Sequence, residues 1–194
     1  AGVGGCLGYI GSHAFLLACF VSGLIPKAIL ADLKHFVEGR NVDDNAHILL
    51  RFSGGAKGML WVSQVAPGNE NGLRLRIYGS KASLEWSQEN PYYLKLSSLG
   101  KSPKIQGRGS AELSAGASKL TRIPPGHPEG YIEGFANIYK EIAQAIYAYR
   151  KGNPFPQGVL FPDLDDGIAG MEFIDAALKS NQNNSEWVSL VGHE

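Results

Sequence analysis

Two histidines sit among residue types that handle hydroxyl groups. His13 closes the segment Gly8-Tyr9-Ile10-Gly11-Ser12-His13, four residues after Tyr9. An imidazole titrates close to neutral pH and can pass a proton to or from a reacting hydroxyl. A phenol with its ordinary pKa of about 10 can donate a hydrogen bond but brings no negative charge at neutrality. Taken alone, His13 reads as a helix-start residue whose imidazole satisfies backbone groups. His127 lies in Pro124-Pro125-Gly126-His127-Pro128-Glu129-Gly130-Tyr131. There a His, a Glu and a Tyr, held between Pro and Gly, can present hydrogen-bonding groups to a ligand. The competing reading is a rigid loop in which Glu129 complements the dipole of the helix that follows.

The elements that must position these residues can be read from hydrophobic period. Ser12 is placed to cap a helix from about His13 to Ser22, and Gly23 to stop it. Ile29 to Val37 reads as a strand. Residues 43–86 then read as four strands in succession, in which Ala46, Ile48, Leu50 and Phe52, then Met59, Trp61, Ser63 and Val65, then Leu73, Leu75 and Ile77, and last Ala82, Leu84 and Trp86 alternate with their neighbours. Short glycine-containing connections favour antiparallel neighbours, since parallel pairing needs a longer crossover. Tyr92 to Leu96 adds a further strand, and Ser97 to Gly130 shows no steady period. Ile132, Phe135, Tyr139, Ile142, Ile146 and Tyr149 recur at spacings of three and four, a clear amphipathic helix with Gly152 as its stop. A second helix begins after Pro162, with Asp163, Asp165 and Asp166 in its first turn and Ile168, Met171, Ile174 or Asp175, and Leu178 along one side. Glu186 to Leu190 reads as a final short strand. The sum is an α+β fold: an antiparallel-dominated open sheet with helices packed on one face and the other face available for subunit contact.

Several kinds of chemistry find no support. Gly2-Val3-Gly4-Gly5-Cys6-Leu7 approaches a dinucleotide fingerprint, but Leu7 stands at the third glycine and no strand precedes it. Five histidines show no metal-ligand spacing and no cysteine pair suggests zinc, so no metal is expected. The amide-rich run Gln64 to Gly72 reads as ordinary turn chemistry. Lys plus Arg and Asp plus Glu balance at 18 each, leaving no net field to draw the chain to nucleic acid or an anionic membrane. The most apolar run, Ala14 to Val21, is far shorter than the roughly 20 residues of a membrane span. Two cysteines, Cys6 and Cys19, fit a reducing, cytoplasmic compartment.

The strand wording of residues 43–86, with a Gly-Gly turn, a strand ending Ile77-Tyr78-Gly79 and another ending Leu84-Glu85-Trp86, resembles the C-terminal domain of the Gfo/Idh/MocA (glucose–fructose oxidoreductase/inositol dehydrogenase) family. So does the Gly-His-Pro-Glu-Gly-Tyr segment at 126–131. The resemblance runs from Gly4 to about Leu190, as one domain over residues 1–194. It implies a parent enzyme that moves a hydride between NAD or NADP and a hydroxyl of a sugar, polyol or related compound. The nucleotide would be held by a preceding domain outside these residues, and the chain alone would be inactive. The resemblance also makes His13 the acid/base and places Tyr9 where the family usually has Asp, so that the imidazole loses a carboxylate neighbour. His127, Glu129 and Tyr131 become substrate contacts, His127 first among them. A homo-oligomer through the open sheet face is the expected assembly. The alternative is a non-catalytic sugar-binding or oligomerisation module.

Overall fold

The structure is a computed structural model that describes residues 4–190. Its backbone divides into two compact units, Ala1–Glu70 with Asp163–Glu194 and Asn71–Pro162. All β-pairing is antiparallel and falls into two four-stranded sheets, so the α+β expectation holds. The four strands read over residues 43–86 are present, but two belong to each sheet. Residues 64–73 carry a Pro-Gly turn that ends the first sheet, with Gly68 at φ +89° and Asn69 donating from both its N–H and its amide to the carbonyl of Ala66 at 3.3 and 3.2 Å.

The first unit is a helix pair over a sheet. A π-helical turn, Leu7–Gly11, leads directly into α1, Ser12–Ser22. Gly23 stops α1 in the left-handed conformation at φ +65°, its N–H on the carbonyl of Cys19 at 2.8 Å. Strands β1 (Pro26–Lys34), β2 (Asn45–Phe52), β3 (Lys57–Ser63) and the two-residue β8 (Val188–Ser189) stand in the order β3-β2-β1-β8. Alternation puts Ile29, Ala31, Ala46, Ile48, Leu50 and Val62 on the buried face. Helix α4 (Leu164–Gln182) packs there, Phe173 stacking on Phe15 of α1 with ring centroids 4.2 Å apart. Asp163 caps α4, accepting from the N–H of Asp165 and Asp166, while Asp166 reaches back to the N–H of Asp163.

The side of α4 that meets the core is only partly the expected one. Ile174 and Leu178 pack against the core, but its centre is Phe173, Ala176, Ala177 and Ser180, and Met171 is exposed. The stacked Phe173 ring selects the face, and two alanines let the helix close on β1. Because β8 is so short, most of β1 would be an open edge; Ser180 and Asn181 accept from the N–H of Ala31 and Leu33, each at 2.8 Å.

Among the described residues no helix of this unit covers the opposite sheet face. His47 pairs with Trp61 and Leu49 with Met59 across β2 and β3, and Met59 and Trp61 are 76% and 59% exposed. This is the face expected to be free of helices.

In the second unit β4 (Arg74–Tyr78), β5 (Ala82–Ser87), β6 (Tyr93–Ser98) and β7 (Lys104–Gly107) form a meander, followed by α2 (Ala115–Leu120) and α3 (Tyr131–Arg150). Strand β7 and helix α2 lie in the stretch where no period was legible. Helix α3 stands where the sequence puts it, yet its apolar stripe is not core: Ile132 is 78% and Tyr149 86% exposed. Among the described residues of this unit no other helix or strand runs along that stripe. What α3 buries instead is Ala148 and the carboxylate of Glu141, which accepts from the N–H of Leu160 at 2.8 Å and stands 3.8 Å from the ammonium of Lys119.

The strand expected over Ile29 to Val37 ends at Lys34. The cause is Asp44, fully buried, whose carboxylate accepts from the N–H of Phe36 at 2.9 Å, of Val37 at 3.1 Å and from Arg40 at 3.3 Å. These bonds bend residues 35–44 into a loop. Burial works against the charge on Asp44, but the two N–H groups and Arg40 outweigh it and hold its carboxyl below the ordinary 3.8. A carboxyl depressed in the folded state stabilises fully above its unfolded value, and that stability is lost as pH falls through the folded value. Denaturant titrations taken from about pH 5 down to about pH 2 should therefore show stability falling steeply below pH 4 and a shallower fall for Asp44→Asn. Equal slopes for the two proteins would contradict this assignment.

Candidate functional site

The helical run that carries Tyr9 and His13 is started by a residue distant in sequence. Asp43, just before β2, is buried, and its carboxylate accepts from the N–H of Gly5 at 2.5 Å and of Leu7 at 2.7 Å and from the thiol of Cys6 at 3.1 Å. Its own carbonyl accepts from the N–H of Cys6 at 2.8 Å. A carboxylate at this position satisfies the donors that a helix start leaves open and complements the dipole. Ser12, expected as the cap, lies inside the run, and its hydroxyl donates back to the carbonyl of Gly8 at 3.0 Å. Gly5 is required by contact: a Cβ there would stand 2.0 Å from the carbonyl oxygen of Asp43.

From this anchored start the π-turn sends Tyr9 outward, and His13 follows at the first turn of α1, both exposed. No hydrogen bond joins Tyr9 to His13 among the described residues, so the phenol does not fix the imidazole. Below them the Cys6 thiol is pushed well above its ordinary range, by burial first and then by its hydrogen bond to Asp43 and the negative charge of Asp43 and Asp44. Burial pushes Cys19 up to about 11. Both cysteines are free thiols.

The segment expected to contact substrate lies in the second unit. His127 sits in a turn with its N–H on the carbonyl of Pro124 at 3.3 Å and Gly126 at φ +84°. Its side chain is exposed, as is that of Tyr131, whose ring lies 4.9 Å from that of Phe135. Glu129 is different. It is buried, its carboxylate paired with the Arg108 guanidinium and accepting from the N–H of Arg122 at 2.7 Å and of Ile123 at 3.2 Å. Glu133 supplies the carboxylate at the start of α3, accepting from the N–H of Gly130 at 2.8 Å, and that bond holds its carboxyl below the ordinary range. Helix-start complementation, considered for Glu129, thus falls to Glu133.

Both sheets are antiparallel, and no parallel strand–glycine turn–helix unit occurs among the described residues. The described residues also hold no cluster of three or more His, Cys, Asp or Glu that could hold a metal ion, and no helix among them is long and apolar enough to cross a membrane.

Residues 1–85 match the family model described as the GFO/IDH/MocA C-terminal domain. An uncharacterized oxidoreductase of Bacillus subtilis (strain 168), YfiI, is 34% identical over 193 residues, 98% of this chain and 49% of the relative. A solved oxidoreductase from Sinorhizobium meliloti is 51% identical with a TM-score of 0.90, over 94% of this chain and 52% of that one. The chain carries a C-terminal domain of the GFO/IDH/MocA family. An inositol dehydrogenase homologue from Azotobacter vinelandii, solved with NADH and myo-inositol, is 32% identical with a TM-score of 0.90, over 95% of this chain and 49% of that one. The chain thus spans about half the length of these relatives.

In this GFO/IDH/MocA domain three structural residues were not legible beforehand. Asp43 belongs to a pair of acidic residues at a strand start, a pattern that signals nothing by itself. Arg108 lies in the aperiodic stretch, and Tyr92 reads only as a strand residue. Asp43→Ala should lower stability by about 2 kcal/mol, the cost of a strong helix cap. It should also open Cys6 to thiol reagents at pH 8, whereas in the unaltered chain both cysteines label only on unfolding. Prompt labelling of Cys6 in the unaltered chain would contradict the geometry.

Proposed function

We propose that this chain is the substrate-binding and assembly half of an NAD(P)-dependent oxidoreductase acting on a sugar, polyol or related hydroxyl compound. The observation that carries the reading is the likeness, over nearly the whole chain, to half of an inositol dehydrogenase homologue solved with NADH and myo-inositol. The exposed stripe of α3 supports it, since a helix with that much apolar surface is suited to lie against further protein.

In this reading His13 takes the proton from the hydroxyl being oxidised, because its exposed imidazole stands on a helix whose start is fixed by Asp43. Tyr9, four residues before it, offers an exposed phenol as a hydrogen-bond donor. His127 and Tyr131 meet other hydroxyls of the substrate, and Glu129 holds the segment that carries them. The nucleotide is bound by the half of the enzyme that these residues do not provide, so the chain alone turns nothing over. The uncovered face of β2 and β3, with Leu49, Met59 and Trp61, pairs with a second copy. Free cysteines and balanced charge suit a protein that works in the cytoplasm on a small molecule, away from nucleic acid and membrane.

The test joins this chain to the nucleotide-binding half of the 51%-identical Sinorhizobium meliloti oxidoreductase and follows nicotinamide reduction with NAD and NADP over a panel of polyols and sugars. Turnover is expected from the joined protein and none from the chain alone. His13→Ala should cost at least about a hundredfold in kcat, and Tyr9→Asp should raise kcat more than it changes KM. Turnover by the isolated chain, or full activity in His13→Ala, would overturn the proposal.

A further inference from the structure

The loop from Ile123 to Glu129 has little of its own to hold it. It contains three prolines and a glycine at positive φ, and its side chains at Pro124, Pro125, His127 and Pro128 are exposed. Proline gives no N–H to a backbone ladder. Beside the loop's own Glu129, what holds it is a guanidinium arriving from just past the end of β7.

Arg108 uses both terminal nitrogens of its fork. Nη1 donates to the Glu129 carboxylate and to the carbonyl of Ile123 at 2.7 Å. Nη2 donates to the carbonyl of His127 at 2.9 Å and, at the long end, of Pro124 at 3.5 Å. The guanidinium carbon lies over the Tyr92 ring, 5.2 Å from its centre. The Tyr92 hydroxyl accepts from the N–H of Glu129, and the Tyr92 carbonyl accepts from the N–H of Arg108 at 2.8 Å. The Arg108 side chain is 17% and the Glu129 side chain 5% exposed. A pair so shielded from water is costly to break, because either partner left alone is an uncompensated charge. Gly109 adds a steric limit: a Cβ there would stand 2.8 Å from the Pro125 ring.

We infer that Arg108 is the positioning residue for His127: it grips the carbonyls on both sides of the Pro-Pro-Gly turn and leaves the imidazole in one orientation toward a polyol. This rests on the reading of His127 as a substrate contact. Arg108 touches no substrate itself. Lysine cannot replace it, since an ammonium is a point charge with neither a fork to span two carbonyls and a carboxylate nor a face to lay on Tyr92.

The test uses the full chain with 13C-labelled histidine. His127 ring signals are recorded for the unaltered protein, Arg108→Lys, Arg108→Gln and Tyr92→Phe, before and during titration with myo-inositol. The unaltered chain should give one sharp His127 signal that shifts as myo-inositol is added. Arg108→Lys and Arg108→Gln should broaden or split that signal and weaken binding about tenfold, the effect of about 1.4 kcal/mol, with the amide signals of β4 to β7 unmoved. Tyr92→Phe keeps the ring and loses only the hydroxyl on Glu129, so it should fall between; it also stands in should the Arg108 variants not fold. A His127 signal that stays single and sharp in every variant overturns the positioning role. A sharp signal in the unaltered chain that no concentration of myo-inositol moves overturns the reading of His127 as a polyol contact, whatever the variants do.

Discussion

The carboxylate of Asp43 sits where three parts of the first unit meet. Its own main chain extends the β1–β2 ladder, for the neighbouring Asp44 donates its N–H to Lys34 and accepts from Gln64. Asp43 turns to the helix start and takes the N–H groups of Gly5 and Leu7, while Asp44 turns to the 35–40 loop and takes those of Phe36 and Val37. Adjacent carboxylates thus fix two segments that have no ladder of their own. The helix that presents His13 inherits its position from the first of them.

The second unit solves the same problem with the same chemistry. A buried carboxylate, Glu129, accepts from two loop N–H groups and from a guanidinium that gathers the neighbouring carbonyls. In both units the residues proposed to meet substrate, His13, His127 and Tyr131, stand exposed, and the carboxylates of Asp43 and Glu129 are buried and hydrogen-bonded to backbone N–H groups. Rigidity comes from these buried carboxylates, and in the proposed reading the chemistry is left to the exposed side chains. The exposed stripes of α3 and of the β2–β3 face sit outside this scheme; in the proposed reading they lie against further protein.

Much of the fold was legible because it follows from period and from local stops. Gly23 ends α1, Asp163 caps α4, and alternation from Ala46 to Phe52 sets which face of β2 is core. The family was legible in the wording of the strands and of the Gly126–Tyr131 segment. What could not be read depends on contacts between residues far apart in sequence. Asp43 caps a helix 36 residues upstream through Leu7, which no capping pattern near Ser12 reveals. Arg108 meets Glu129 across 21 positions. Period alone also cannot say how much of a stripe is core: α3 has a regular apolar stripe, but only a packed neighbour can turn a stripe into core, and in α4 the Phe15–Phe173 stack centres the buried side beyond Ile174 and Leu178.

The most direct measurement of this account is the amide hydrogen exchange of Gly5, Leu7, Arg122 and Ile123 in the full chain. These four N–H groups are the ones that two buried carboxylates are said to hold. The account predicts exchange far slower than at neighbouring loop amides, close to that of the sheets, with protection at Gly5 and Leu7 lost in Asp43→Ala and at Arg122 and Ile123 lost in Glu129→Ala. Exchange at the rate of open loop in the unaltered chain would contradict it.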